Sequence, residues 1–256
     1  MMFGSKKTEK LLDYSEGYFI SKLGISKEEY LNLYSDYLIE RNGKYYFSKK
    51  IHNEFLYNEI IGRYLCSKVN LDTTDLIVEH KGIFKSKILT PNYHDKDYIN
   101  FRPEDNFEYG MRTRGFDDSC FEYLDESLQQ DLFKLIAIDL MMEQIDRYAR
   151  NMEVFVYDDT LRLAPIIDFE LAFYNQRSFT YFNPYILIGK NVRTLNSFYD
   201  KYPEGYDYFV KIFETGTNEL INHVKDEYNL ETKRLVKKDI RRTVRRNQKI
   251  LKELKG

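Results

Sequence analysis

Residues 144–151 read QIDRYARN, and residues 163–173 read LAPIIDFELAF. The first stretch sets Asp146 and Asn151 five apart in a basic loop. The second sets Asp168 in an otherwise apolar run. A carboxylate between Ile167 and Phe169 needs a partner or a cation, because burying an uncompensated charge is expensive. Asp and Asn also supply the hard oxygen ligands that Mg²⁺ prefers.

Upstream, ISKEEYLNLYSDYLIE from Ile25 spaces Tyr30, Leu33, Tyr34, Tyr37 and Leu38 at three and four residues, which predicts a helix with Ser26 as N-cap and Glu29 three later. Asn42 and Gly43 mark a turn, and KYYFSKK follows as a short strand rich in Tyr and Phe. EFLYNEIIGRYLCSKV predicts a second helix with Phe55, Leu56, Ile60, Tyr64 and Leu65 on one face. DLIVEHKGIFKSKILT reads as two strands turning at Lys81 and Gly82. From Pro91 to Asp118 the pattern breaks into a connector, where a lobe boundary belongs.

SLQQDLFKLIAIDLMMEQI is the most apolar helix of the chain, with Ser127 and Gln130 as a capping box, and its all-round apolarity predicts a central buried position. MEVFVYDDTLRLAPIID gives two strands joined at Asp158 and Asp159, and the chain from Gly205 is mainly helical. Strand with a lysine, helix with a glutamate, strands, connector, buried helix, polar loop, hairpin, aspartate: protein kinases and their distant relatives order their parts this way.

Composition sets the outer bounds. The 256 residues, 43% hydrophobic and 31% charged, suit one large domain or two lobes sharing a hinge. Cys66 and Cys120 stand alone, with no CxxC and no disulfide framework, which favours the reducing cytoplasm. No apolar run is long enough to span a membrane, since LFKLIAIDLMM is broken by Lys134 and Asp139, and MMFGSKKTEK lacks a signal core. His52, His80, His94 and His223 have no ligand spacing, so a zinc site is not expected. H-E-x-x-H and G-x-S-x-G are both absent, which removes two common hydrolase chemistries. Residues 233–249 hold nine Lys/Arg against Asp239 alone, so this segment carries +8 while the whole chain carries −2.

Phosphoryl transfer asks a protein mainly to position charge. In D-R-Y-A-R-N, Asp146 would orient the acceptor hydroxyl and Asn151 would hold a metal ion, the spacing that a kinase catalytic loop uses. Asp168 would be the second metal ligand.

The run Gln144-Ile-Asp146-Arg-Tyr-Ala-Arg-Asn151, followed by Arg162-Leu-Ala-Pro-Ile-Ile-Asp168, resembles the HipA-like serine/threonine kinases, whose signature is N-x-D-x-H-x-x-N followed by L-A-P-x-x-D. The YYFSK strand and the YNEIIGRYL helix resemble the lysine strand and glutamate helix of short, kinase-core members of that family, itself distantly similar to phosphoinositide kinases. The match runs roughly from Lys44 to Phe173. Gln144 replaces the usual Asn and Tyr148 the usual His.

The resemblance implies an α+β, bilobed kinase-like fold, with an N-lobe over residues 1–102 and a mainly helical C-lobe over residues 103–256. It further implies ATP and Mg²⁺ as cofactors, transfer to Ser or Thr of a cytosolic protein or of the kinase itself, and a toxin or stress-response setting with an antitoxin-like partner. Asp146 would then be the catalytic aspartate, Asn151 and Asp168 the metal ligands, and Glu59 the partner of a strand lysine. Lys49 is the preferred lysine, with Lys50 the alternative by a one-residue slip. No G-x-G-x-x-G or G-K-[ST] occurs, so the phosphate-covering loop is unconventional or missing.

The basic C-terminal segment has Val236, Ile240, Val244 and Leu251 on one side and Lys/Arg around them. Packing on the C-lobe is the favoured reading, and nucleic-acid contact the sharper one. Two other functions fit the chain: a lipid or small-molecule kinase, and a catalytically silent kinase-like binding protein.

Overall fold

The computed structural model describes residues 38–91, 100–101, 126–144, 147, 154–157, 160–173, 195–230 and 234–255. Strand β1 (Leu38–Arg41) and strand β2 (Lys44–His52) form a hairpin, Arg41 facing Lys44 and Leu38 facing Phe47. Asn42 and Gly43 supply the link with φ of +52° and +74°. Two successive positive φ values are what a two-residue type I′ turn needs, and Asn-Gly adopts them with little strain. The expected helix from Ile25 to Glu40 is corrected at its end, because Leu38 to Glu40 lie in β1. Ladder pairing with β2 overrides helical periodicity there, and residues 25–37 lie outside the described residues.

Helix α1 (Asn53–Lys68) follows β2 directly. Strands β3 (Ile77–Lys81) and β4 (Lys85–Pro91) complete an antiparallel sheet of order β1-β2-β4-β3. The β3–β4 turn is tied to the start of α1. Asn53 donates its backbone N–H to the Phe84 carbonyl (3.0 Å) and its side-chain amide to the carbonyls of Gly82 (2.9 Å) and Ile83 (3.1 Å). The expected one-sided apolar stripe of α1 proves too narrow: Tyr57, Ile61 and Cys66 are buried as well as Leu56, Ile60 and Leu65. Sheet lies on one side of this helix and other helices on the other.

Helix α2 (Glu126–Met142) is the central buried helix that its composition predicts, with Leu132, Phe133, Ile136, Ile138 and Met141 all enclosed. Ser127 lies within its first turn and not ahead of it, where the expected N-cap would stand. Strand β5 (Asn100–Phe101) pairs with β6 (Val154–Tyr157), and β6 pairs with β7 (Thr160–Leu163), as the expected hairpin requires. Asp131 of α2 anchors that hairpin, accepting from Arg162 Nε (2.6 Å) and from the Leu163 N–H (3.3 Å).

The remainder is helical: α3 (Leu195–Lys201), a 3₁₀ turn (Pro203–Gly205), α4 (Tyr206–Phe213), α5 (Thr217–Tyr228) and α6 (Arg234–Lys255). One continuous core joins Ile51 and Ile88 of the sheet through α1 and α2 to Val244 and Leu251 of α6. Among the described residues, no helix is long and apolar enough to cross a membrane.

Candidate active site

Lys49 stands on the face of β2 that also carries the fully buried Ile51. Lys50 points to the other face, opposite Lys87 of β4, and is exposed. The sheet therefore chooses between the two lysines. The Lys49 ammonium lies 3.2 Å from Asp168 Oδ1 and also pairs with the Glu170 carboxylate. Burial alone would lower its pKa, but Asp168, Glu170 and Glu59 outweigh that and hold it above the ordinary lysine value.

The backbone around Asp168 is fixed by the segment that leads into the Asp146 loop. Asp168 has a φ of +65°, a left-handed conformation that a non-glycine residue keeps only when its surroundings enforce it. Gln144 Nε2 donates to the Asp168 carbonyl (2.7 Å), and Arg147 donates to the preceding Ile167 carbonyl (2.8 Å). Gln144 thus has a clear task at a position where the family pattern has Asn. Arg147 is itself buried and grips Asp139 of α2 with two bonds, 3.0 and 3.1 Å. Its guanidinium also lies over the Phe169 ring, 4.9 Å from the centroid. Asp168 thus pairs with Lys49, and Arg147 with Asp139.

Helix α1 holds the other side of this segment. Asn58 donates to the carbonyls of Glu170 (2.8 Å) and Ala172 (2.6 Å). The buried Phe169 ring packs against α1 at Gly62, where a methyl group would overlap it. Glycine at this turn allows the close approach. At the far end of the site, Glu143 takes a φ of +52° to end α2, and its carboxylate pairs with Arg246 and, at 3.5 Å, with Arg242 of α6.

Glu59 departs from expectation. Its carboxylate bonds Arg63 one turn on at 2.6 Å, and Arg63 continues to the Thr74 carbonyl at 3.1 Å. No direct Lys49–Glu59 ion pair forms among the described residues. The i,i+4 geometry brings Arg63 within reach inside one helix, while Lys49 has two carboxylates closer to it. Burial pushes the Glu59 carboxyl above its ordinary range, with Arg63 opposing.

Asp146 and Asn151 lie outside the described residues. The structure thus brings Lys49 and Asp168 together with Glu59 behind them. It adds Glu170, Arg147, Asn58 and Gly62, which sequence reading did not assign to the site. Glu170 had a legible signal, a second carboxylate two residues after Asp168; Asn58 and Gly62 had none, since their roles depend on what packs against α1. Among the described residues no group of three or more His, Cys, Asp or Glu is arranged to hold a metal ion.

A small antiparallel sheet bearing a lysine, a helix beneath it, and an aspartate delivered by a β-hairpin to that lysine define a kinase-like fold of the HipA type. No family model and no curated protein matches the sequence. Among solved structures, the chain is similar to the Helicobacter pylori proinflammatory kinase CtkA, with a TM-score of 0.57 and 11% identity over 83% of this chain and 89% of that one. It is also similar to HipA of Shewanella oneidensis MR-1, solved with HipB and its operator DNA, with a TM-score of 0.56 and 12% identity over 82% of this chain. The chain spans 62% of the length of that second protein.

Proposed function

We propose that this protein is an ATP- and Mg²⁺-dependent protein kinase that transfers a phosphoryl group to Ser or Thr, on a cytosolic protein, on itself, or on both. The observation that carries this reading is the meeting of Lys49 with Asp168, 119 residues apart in sequence, on a backbone that Gln144 and Arg147 clamp from the loop containing Asp146.

The residues suit a divalent cation. Asp168 and Glu170 present carboxylate oxygens around one positive group, the Lys49 ammonium, so the site already tolerates and compensates a cation. With Mg²⁺ and ATP bound, Asp168 and Asn151 would hold the metal, which neutralises charge on the phosphates. Lys49 would turn from its carboxylates to the nucleotide, Asp146 would orient the acceptor hydroxyl, and Glu59 would support Lys49 electrostatically. An antitoxin-like partner fits the likeness to HipA, which was solved bound to HipB.

The test is transfer from γ-labelled ATP with Mg²⁺, to the protein itself and to a cell lysate. Wild type should label Ser or Thr, and Asp146→Ala and Asp168→Asn should not. Absence of both transfer and ATP binding in wild type would sink the reading and leave a binding protein built on a kinase fold.

A further inference from the structure

Helix α6 has its apolar residues on one side and its charge on the other. Ile240, Val244, Asn247 and Leu251 are buried, and Asn247 donates to the Met141 carbonyl (3.0 Å). At about 3.6 residues per turn, Arg234, Lys238, Arg241, Arg245, Lys249 and Lys252 fall within an arc of roughly 80° on the opposite side and run about 27 Å along the axis. All six are exposed. Lys249 meets Glu253 at 3.6 Å; the other five have no ion-pair partner among the described residues. Arg242 and Arg246, which hold Glu143, stand beside the stripe and not within it.

The stripe works against the helix that carries it. Like charges three and four residues apart repel, and cations in the first turn oppose the positive end of the helix dipole. Arg234, Lys237 and Lys238 lie at that end, with no acidic residue in the first turn. Neither feature serves the helix, and among the described residues only Lys249 of the stripe has a carboxylate partner, so an anion from outside suits the other five.

The core identifies the kind of anion. An interfacial helix binds lipid by laying its apolar face into the membrane, but here that face is consumed by the interior. What remains is a line of cations about 4.5–6 Å apart along the axis, suited to a long, linear polyanion. Outside residues 233–249 the chain carries a net charge of −10 (−2 minus +8), which favours this helix over the rest of the chain for such a polyanion. We infer that α6 docks along the phosphodiester backbone of a nucleic acid, reading charge and not sequence.

The test uses the full chain and labelled oligonucleotides of arbitrary sequence, duplex and single-stranded, with anisotropy as readout and no ATP present. About five phosphate contacts predict a log K against log salt slope of about −4 to −5 on duplex, a loss of two to three orders of magnitude between about 50 and about 200 mM salt. Changing Arg234, Lys238, Arg241 and Arg245 together to Gln should abolish most of the affinity and flatten the slope to about −1. Its thermal midpoint should equal or exceed that of wild type, because only exposed, mutually repelling groups are changed. Failure of wild type to bind either oligonucleotide at low salt overturns the inference, as does equal binding by the variant. Binding to phosphatidylserine vesicles but not to oligonucleotides also overturns it and assigns the stripe to lipid headgroups. Since no ATP is present, none of these outcomes bears on the kinase reading.

Discussion

Removing the Arg147 guanidinium would leave the Asp139 carboxylate buried with no cation beside it and release the Ile167 carbonyl. Losing one partner of a buried pair typically destabilises by about 3–5 kcal/mol, so Arg147→Ala should unfold at markedly lower denaturant. Asp139→Ala with Arg147→Ala should recover part of that loss, because no lone charge is then buried; a double-mutant cycle by urea unfolding measures the coupling. Lys49→Met makes a different prediction. Lys49 is half-exposed and its pairs with Asp168 and Glu170 are partly solvated, so stability should change little while nucleotide affinity falls. Equilibrium ATP binding beside a thermal melt separates the two effects.

Helix α1 couples the sheet to the site, and its glycine sets how closely. Gly62→Ala gains helix propensity, about 1 kcal/mol in an exposed helix, but here its methyl meets the Phe169 ring. Overpacking of a dense core costs about 1–3 kcal/mol, so the net effect should be destabilising, with phosphoryl transfer reduced because Asp168 is displaced with Phe169. At its C-terminal end α1 is latched to α5: Glu219 accepts from Tyr64 and Lys68, each at 2.6 Å, and Tyr64 stacks on His223. Burial alone would raise the Glu219 carboxyl, but Lys68 and Tyr64 pull it below its ordinary value. A carboxyl depressed in the folded state contributes stability that is present above its unfolded pKa of about 4.3 and is lost as pH falls through the folded value. Urea midpoints should therefore drop below about pH 4.3 in wild type and drop less steeply in Glu219→Gln.

Because one core runs from Ile51 to Leu251, sheet and helices should unfold in a single transition when followed by circular dichroism and by tyrosine fluorescence. On the kinase reading, MgATP at about a hundred times its dissociation constant should add about 2.7 kcal/mol, and Asp168→Asn should lose that gain. Much of this architecture was legible beforehand. The Asn-Gly turn, the α1 helix, the buried α2, the β6–β7 hairpin and the packed α6 all follow from local rules: positive φ at Asn-Gly, periodicity, and apolarity on every side or on one. These rules also selected Asp168 and placed it after the hairpin. Leu38 to Glu40 became strand because β2 was available to pair across the Asn-Gly turn, Ser127 lies inside the helix and not ahead of it, and Glu59, which the resemblance paired with the strand lysine, meets Arg63 of its own helix. The choice of Lys49 over Lys50, the second carboxylate at Glu170, and the clamp of Gln144 and Arg147 on the Asp168 backbone belong to tertiary structure. Each depends on which groups meet across 20 or more residues of chain. Periodicity and turn chemistry act between near neighbours and so can be read from sequence, whereas the pairing of buried charges is settled only when packing fixes which cation lies nearest each carboxylate.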